Sequence, residues 1–326
     1  MFFSILLLQI SLVSSLNPFL KQWQCLGITS NIDFSRPFAC NIGDLPLVVW
    51  KDNSGKLIST MNICKHMGSK LDTGKIVNGC LKCNYHGLEF SEKDKFGEVL
   101  EQDGKIFWAH NPIHKRPFRI PFFTNPNYVN NFLQIDMDCS LLDSAYNTMD
   151  IRHPEYVHNN LGFGSSLYPL NIKPYRFHDR VGLAFDYLSN DLMKFINNVN
   201  QTHNFHMYVS PSFTWSRVSF NDNHLIISVN FLPLERKKTR WFVTIGQNYN
   251  KSPNGQHFTK MLAKTIVSQD FTQLKHQYKE NDLKRALLFG HIFKDEEAIV
   301  WLNELLKDYK YPDIRDCVDI IHNVTK

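Results

Sequence analysis

Two short blocks in the first third of the chain each pair a thiol with an imidazole: Cys64-Lys65-His66 and Cys83-Asn84-Tyr85-His86. Together they offer a Cys₂His₂ ligand set. That set suits a [2Fe–2S] cluster carrying two cysteines on one iron and two histidines on the other. Each loop must then reach both irons, which the close Cys–His spacing within a block permits. Gly68 and Gly87 follow the two blocks and let the backbone turn tightly, because glycine tolerates unusual dihedrals. The same four residues could hold a tetrahedral zinc, as could Cys80 and Cys83 as a CxxC pair. A zinc finger groups its cysteines in one block and its histidines in another, whereas here each block mixes the two. The mixed pattern points to iron and sulfur.

A second constellation follows in Asn147-Thr-Met-Asp150-Ile-Arg-His153-Pro-Glu-Tyr-Val-His158. Two histidines and one carboxylate on one side of a metal leave positions open, which suits a non-haem Fe(II) that activates O₂. His153 and His158 are five residues apart, about 140° round the axis of a regular α-helix. A regular helix would therefore separate them. Pro154 removes an intrahelical hydrogen bond and distorts the turn, and a broken or π-bulged helix brings both rings together.

Short β-like runs separated by turn residues occupy Trp23 to Pro117. Leu47-Val48-Val49-Trp50 precedes Asp52-Asn53-Ser54-Gly55, a hairpin signal, and then Leu57 and Ile58. Further runs lie at Gly79–Lys82 and Lys105–Ala109. A Pro-punctuated stretch from Asn111 to Pro126 reads as a linker. Beyond it lie an apolar segment, Cys139–Tyr146, and strand-like runs at Val181–Leu188, His203–Val209, Phe213–Phe220, Leu225–Leu232 and Arg240–Tyr249. Phe258–Tyr278 and Glu296–Leu306 have helical spacing. The expected class is α+β: an all-β domain at 20–118, then an antiparallel sheet with helices at 127–326.

The 326 residues are 43% hydrophobic and 21% charged, a globular composition with room for real cores. The net charge of +5 is too diffuse to argue for nucleic acid. Seven scattered cysteines do not make a disulfide framework. Residues 2–16 form an apolar run too short for a transmembrane helix and without a basic start. It reads as a cleaved signal or part of a bipartite organelle-targeting sequence, with a membrane-surface anchor as the alternative.

The run Cys64-Lys-His-Met-Gly…Cys83-Asn-Tyr-His-Gly-Leu-Glu-Phe90 resembles the Rieske [2Fe–2S] family. Respiratory-type members carry two further cysteines as a disulfide; Ser69 and Tyr85 stand there instead. That places the likeness with oxygenases and Rieske ferredoxins. The 147–158 segment resembles the iron motif of Rieske non-haem iron oxygenases, with Asn147 three residues before Asp150. Tyr146 replaces the acid that often precedes that asparagine.

The resemblance implies Cys64, His66, Cys83 and His86 as ligands of a [2Fe–2S] cluster, and His153 and His158 as ligands of a mononuclear Fe(II). A later carboxylate completes the iron site, and Asp270 in Ser268-Gln269-Asp270-Phe271 fits best; Asp282, Asp222 and Glu235 compete. Asp150 is implied as the carboxylate joining a cluster histidine to an iron histidine. The second domain is implied to be a helix-grip-like catalytic domain working in a homotrimer, in which the cluster of one subunit serves the iron of the next. A ferredoxin or flavin reductase would supply electrons, O₂ would be the oxidant, and the substrate would be an apolar small molecule.

Trp23, Ser35-Arg36-Pro37 and Leu47…Gly55 resemble the pheophorbide a oxygenase and chlorophyllide a oxygenase branch, which implies a porphyrin-derived macrocycle. Bacterial vanillate-type monooxygenases share parts of this pattern, and the C-terminal CxxC of several plastid members is missing from the sequence. A Rieske ferredoxin-like electron carrier and a zinc-stapled ligand-binding protein are the rival readings. Lys65, Lys70, Lys75 and Lys82 flank the ligand loops and form an expected basic rim for an acidic electron donor.

Overall fold

The computed structural model describes residues 17–158, 169–188, 199–277, 297–307 and 309–313. The segment at 2–16 and Asp282 lie outside them. The chain divides into two compact units between Pro117 and Phe118, and Tyr309–Asp313 returns to the first unit. No helix among the described residues is long and apolar enough to cross a membrane.

The first unit holds three small antiparallel sheets. One joins β1 (Gln24–Ile28), β9 (Lys105–Ala109) and β8 (Glu98–Gln102). Another joins β2 (Phe38–Ile42), β3 (Leu45–Lys51) and β4 (Leu57–Met61). The third joins β5 (Lys75–Val77), β6 (Cys80–Lys82) and β7 (Glu89–Phe90). The β3–β4 turn closes as its sequence suggests: Asp52 Oδ1 accepts the amides of Ser54 and Lys56, each at 2.9 Å, and Gly55 takes φ +83°. Trp50 anchors this unit, fully buried and donating to the Gly79 carbonyl at 3.1 Å. Burying such a ring removes roughly 150–250 Å² from water, about 4–6 kcal/mol at 25 cal/mol per Å².

The second unit is built on a seven-stranded antiparallel sheet in the order β10-β16-β15-β14-β13-β12-β11. Its strands are β10 (Val129–Met137), β11 (Pro169–Arg176), β12 (Arg180–Leu188), β13 (Gln201–Val209), β14 (Phe213–Phe220), β15 (Asn223–Glu235) and β16 (Lys238–Gln247). Four described helices accompany it: α1 (Leu141–Met149), α2 (His153–Val157), α3 (Pro253–His276) and α4 (Glu297–Leu306). Four of the five strand-like runs read from sequence fall within β12 to β15, and the fifth, Arg240–Tyr249, runs two residues past the end of β16. The two outer strands were not expected. β10 lacks clean alternation, and β11 carries Pro169 and Pro174, which only an edge strand tolerates.

Capping fixes where the site helices begin. Ser140 and Asp143 form a capping box at the start of α1. Ser252 accepts the Gly255 amide at the start of α3, with Pro253 in the first turn.

Candidate metal centres

The β4–β5 and β6–β7 loops repeat one hydrogen-bond pattern. Cys64 N donates to Ser69 O and Gly68 N donates to Cys64 O, both at 2.8 Å. Cys83 N donates to Leu88 O at 2.8 Å, and Gly87 N to Cys83 O at 3.0 Å. Closing each turn needs positive φ, which Gly68 (+69°) and Gly87 (+75°) supply without strain.

The paired turns bury the two thiols among Val48, Trp50, Leu71, Leu81 and Phe90 and leave His66 and His86 exposed. The imidazole rings stand 4.7 Å apart at 69°. Burial pushes the Cys83 thiol up, but the backbone of Tyr85 and His86 and the side chains of Cys64 and Ser69 hold it below the ordinary value. Thiolates inside and imidazoles at the surface match the two ends of a cluster with two kinds of ligand. Cys80, the other half of the CxxC pair with Cys83, is half-buried opposite Val77 on the short β5–β6 ladder.

In the second unit α1 ends at Asp150 and a new short helix starts at His153. Pro154 therefore sits in a first turn, where its missing N–H costs nothing, rather than kinking one continuous helix. His158 caps the far end with φ −108° and ψ 17°. This break turns both rings the same way, to a centroid separation of 5.2 Å. Asp270 projects between them from the buried stripe Val267, Asp270 and Leu274 of α3. Its Oδ1 lies 3.3 Å from the Nε2 of each histidine.

The ligand atoms of His153, His158 and Asp270 lie within 4.8 Å of one another. Yet Oδ1 of Asp270 is buried and makes no hydrogen bond. A divalent cation held by these three residues would satisfy that oxygen, so the donors present fit a two-histidine, one-carboxylate iron site.

Burial pushes the Asp270 carboxyl up, but the imidazoles of His153 and His158 outweigh it and hold it down at about 2. Burial pushes His153 the other way, down, and Asp270 overrides it, raising the ring above its ordinary value. The outer nitrogens are held as well. His158 Nδ1 lies 2.9 Å from Gln269 Oε1, and His153 Nδ1 lies 2.9 Å from the backbone oxygen of Asp150.

The Asp150 carboxylate is exposed. Its Oδ1 accepts the amides of Arg152 and His153 at 2.8 and 3.3 Å, and its Oδ2 lies 3.8 Å from His153 Nδ1. Asn147 is half-buried on the last turn of α1. Asp222 and Glu235 are exposed at the ends of strands and do not join the histidines.

Two contributors escaped the sequence reading. Gln269 gave no signal beyond standing next to Asp270. His206, on β13, hydrogen-bonds the backbone of Thr148, and burial together with His153 pushes it down to about 4. Tyr146 donates its hydroxyl to Asn303, tying α1 to α4 where the related motifs often carry an acid.

The Rieske [2Fe–2S] domain family matches residues 22–107, the segment that carries both Cys–His loops. Residues 22–107 form a Rieske domain. Such a domain implies a [2Fe–2S] cluster.

The chain is 31% identical over 147 residues to the oxygenase component of dicamba O-demethylase from Stenotrophomonas maltophilia, covering 38% of this chain and 43% of that protein. It is 26% identical over 165 residues to chloroplastic chlorophyllide a oxygenase from Arabidopsis thaliana, covering 44% and 30%. The chain thus spans less than half the length of these curated relatives. Its fold is that of dicamba monooxygenase solved with 3,6-dichlorosalicylic acid: TM-score 0.76 and 17% identity, over 89% of this chain and 97% of that one.

The expected basic rim of the Rieske domain is partly neutralised. Lys65 pairs with Asp94 at 2.6 Å and Lys82 with Glu89 at 3.3 Å. Lys70 and Lys75 remain exposed. Reduction by an acidic donor should therefore slow only mildly as salt rises from low to physiological ionic strength. Stopped-flow reduction of the cluster across that range checks this, and a rate independent of salt would remove the rim from the account.

Proposed function

We propose that this chain is the oxygenase component of a Rieske non-haem iron system, oxidising an apolar aromatic or macrocyclic substrate with O₂. The observation that carries the reading is the buried, unpartnered Oδ1 of Asp270, set between the Nε2 atoms of His153 and His158 in a chain that also has a Rieske domain. An electron carrier alone has no use for that second set of donors.

In this reading Cys64, Cys83, His66 and His86 hold the cluster, and His153, His158 and Asp270 hold Fe(II). The bound groups supply one-electron transfer and O₂ activation. The protein's part is to orient the donors: Gln269 and the Asp150 backbone each fix one imidazole through its outer nitrogen, as partners beyond the ligands commonly do. Asp150 and Asn147 line the electron entry. The Asp150 carboxylate, exposed beside His153, is available to accept an N–H from a cluster histidine of a neighbouring subunit. Head-to-tail contacts of that kind close into rings, and the working unit is a trimer.

A ferredoxin or flavin reductase donates the electrons. Likeness to chlorophyllide a oxygenase supports a chlorophyll-derived substrate and a plastid location. The test is turnover with ferredoxin, its reductase and a panel of chlorophyll-derived pigments under ¹⁸O₂. Product carrying the label is expected. Product oxygen that comes only from water would sink the oxygenase assignment.

A further inference from the structure

The seven-stranded sheet turns one face toward α1 and the break that follows it. Three side chains on that face mark it: Tyr187 donates its hydroxyl to the Ile151 carbonyl, Trp241 Nε1 donates to Ser144 Oγ at 2.8 Å, and His206 hydrogen-bonds the backbone of Thr148. Side chains alternate along a strand, so Asn204, two residues before His206 on β13, shares the face. Their cross-strand partners on β14 are Val218 and Ser216.

Each of these two residues holds a buried polar atom without a hydrogen-bond partner among the described residues. Asn204 is 5% exposed, and its Nδ2 donates to the Thr202 carbonyl at 3.2 Å and to Thr202 Oγ1 at 3.1 Å. The carbonyl can only accept, so the amide orientation is fixed and Oδ1 is the atom left over, buried and unpartnered. In a neutral His206 ring, the N–H goes to the Thr148 carbonyl and Nδ1 is left as an acceptor, also buried and unpartnered. Two acceptors about 7 Å apart along one strand thus face the helices that carry His153.

Charge is missing from the same face. Across β10 and β12 to β16 the inward alternation carries no Lys, Arg or Asp. Past a β-bulge at the exposed end of β15, Glu235 lies opposite Lys238 on β16. On edge strand β11, Arg176 is held by Glu304 at 2.5 Å. The neighbours of the two acceptors are apolar or neutral: Val218, Leu225, Ile227 and Ser216. Among the described residues the sheet itself offers a carboxylate no cation, and two lone pairs oppose it.

We infer that Asn204 and His206 are specificity-determining residues that accept hydrogen bonds from an uncharged substrate carrying N–H or O–H groups on an apolar body. The inference rests on the oxygenase reading for what is bound there, and it separates this chain from the structural relative solved with an acid.

The test is calorimetric binding to the purified, iron-loaded full-length protein, with three bicyclic probes of similar size: indole, naphthalene and 1-naphthoate. Indole is expected to bind at least about tenfold more tightly than either of the others, because a site built to accept a hydrogen bond rejects analogues that cannot make it. Asn204→Leu should cut the margin of indole over naphthalene by about 3–10-fold, the worth of one hydrogen bond, and leave naphthalene binding in place. His206→Phe, which keeps a ring and removes Nδ1, should act in the same direction.

Naphthoate binding as tightly as indole, no binding of any probe, or an unchanged indole margin in both variants would each overturn the inference. If the variants do not fold, the ranking on the natural protein decides. Binding is read without an electron donor, so a failed turnover assay and a failed ranking are separate results.

Discussion

His153→Ala should reduce turnover to background while the visible spectrum of the Rieske cluster stays unchanged, and His158→Ala and Asp270→Ala should do the same. The three ligand atoms come from two helices and meet nowhere else, so losing one leaves a two-donor site that cannot hold Fe(II) in open geometry. The cluster loops belong to the other compact unit and keep their own core. Gln269→Leu provides the graded comparison. It leaves all three ligands and removes only the partner 2.9 Å from His158 Nδ1, so iron affinity or activity should fall by about 10–100-fold rather than vanish. Iron titration followed by activity measures both. Full activity in His153→Ala would mean that the iron lies elsewhere.

Asp150→Asn should keep both metals and slow electron transfer from cluster to iron by about 10–100-fold, the usual cost of losing a partner of this kind. The amide is isosteric, and its Oδ1 can still accept the Arg152 and His153 backbone amides that shape the break before α2. What it loses is the negative charge beside His153 and the free carboxylate oxygen that would accept an N–H from a cluster imidazole of the neighbouring subunit. His153 itself stays oriented through the Asp150 backbone oxygen, which the substitution does not touch. Single-turnover oxidation of the reduced cluster by O₂ reads the rate. Unchanged kinetics, or full activity in a monomer, would remove both the bridge and the ring.

Much of this was legible in local sequence because local spacing carried it. The Cys–His blocks needed only two tight turns, and the glycines that make them are adjacent in sequence. The five inner strands of the second unit announced themselves by alternation, and the two outer ones, β10 and β11, did not. The His153–His158 pair was legible as a break, but its physical form differs: the chain ends one helix at Asp150 and starts another, and Pro154 fits the new first turn.

Helix α3 was found, but not its face. Phe258 and Met261 look like the start of an apolar stripe, yet they are 63% and 55% exposed, while Thr259, Val267, Asp270 and Leu274 are buried. A buried aspartate in a weakly amphipathic helix carries no periodic signal. Asn204 and His206 were invisible for a different reason. Their significance is an unmet hydrogen bond, which exists only once strand register and the helix opposite are known. The return of Tyr309–Asp313 to the first unit is likewise a long-range contact. The Asp44 amide donates to the Pro312 carbonyl at 2.9 Å, across more than 260 residues of sequence.

The most direct measurement of the central claim is metal and sulfide analysis of anaerobically purified protein, joined to electron paramagnetic resonance before and after reduction. Expected are brown protein with about three irons and two acid-labile sulfides per chain, a Rieske signal on reduction, and a high-spin Fe(II) centre, seen as its nitric oxide adduct, that disappears in Asp270→Ala while the Rieske signal persists. A colourless, zinc-loaded protein, or one with two irons and no separate Fe(II) signal, would contradict it.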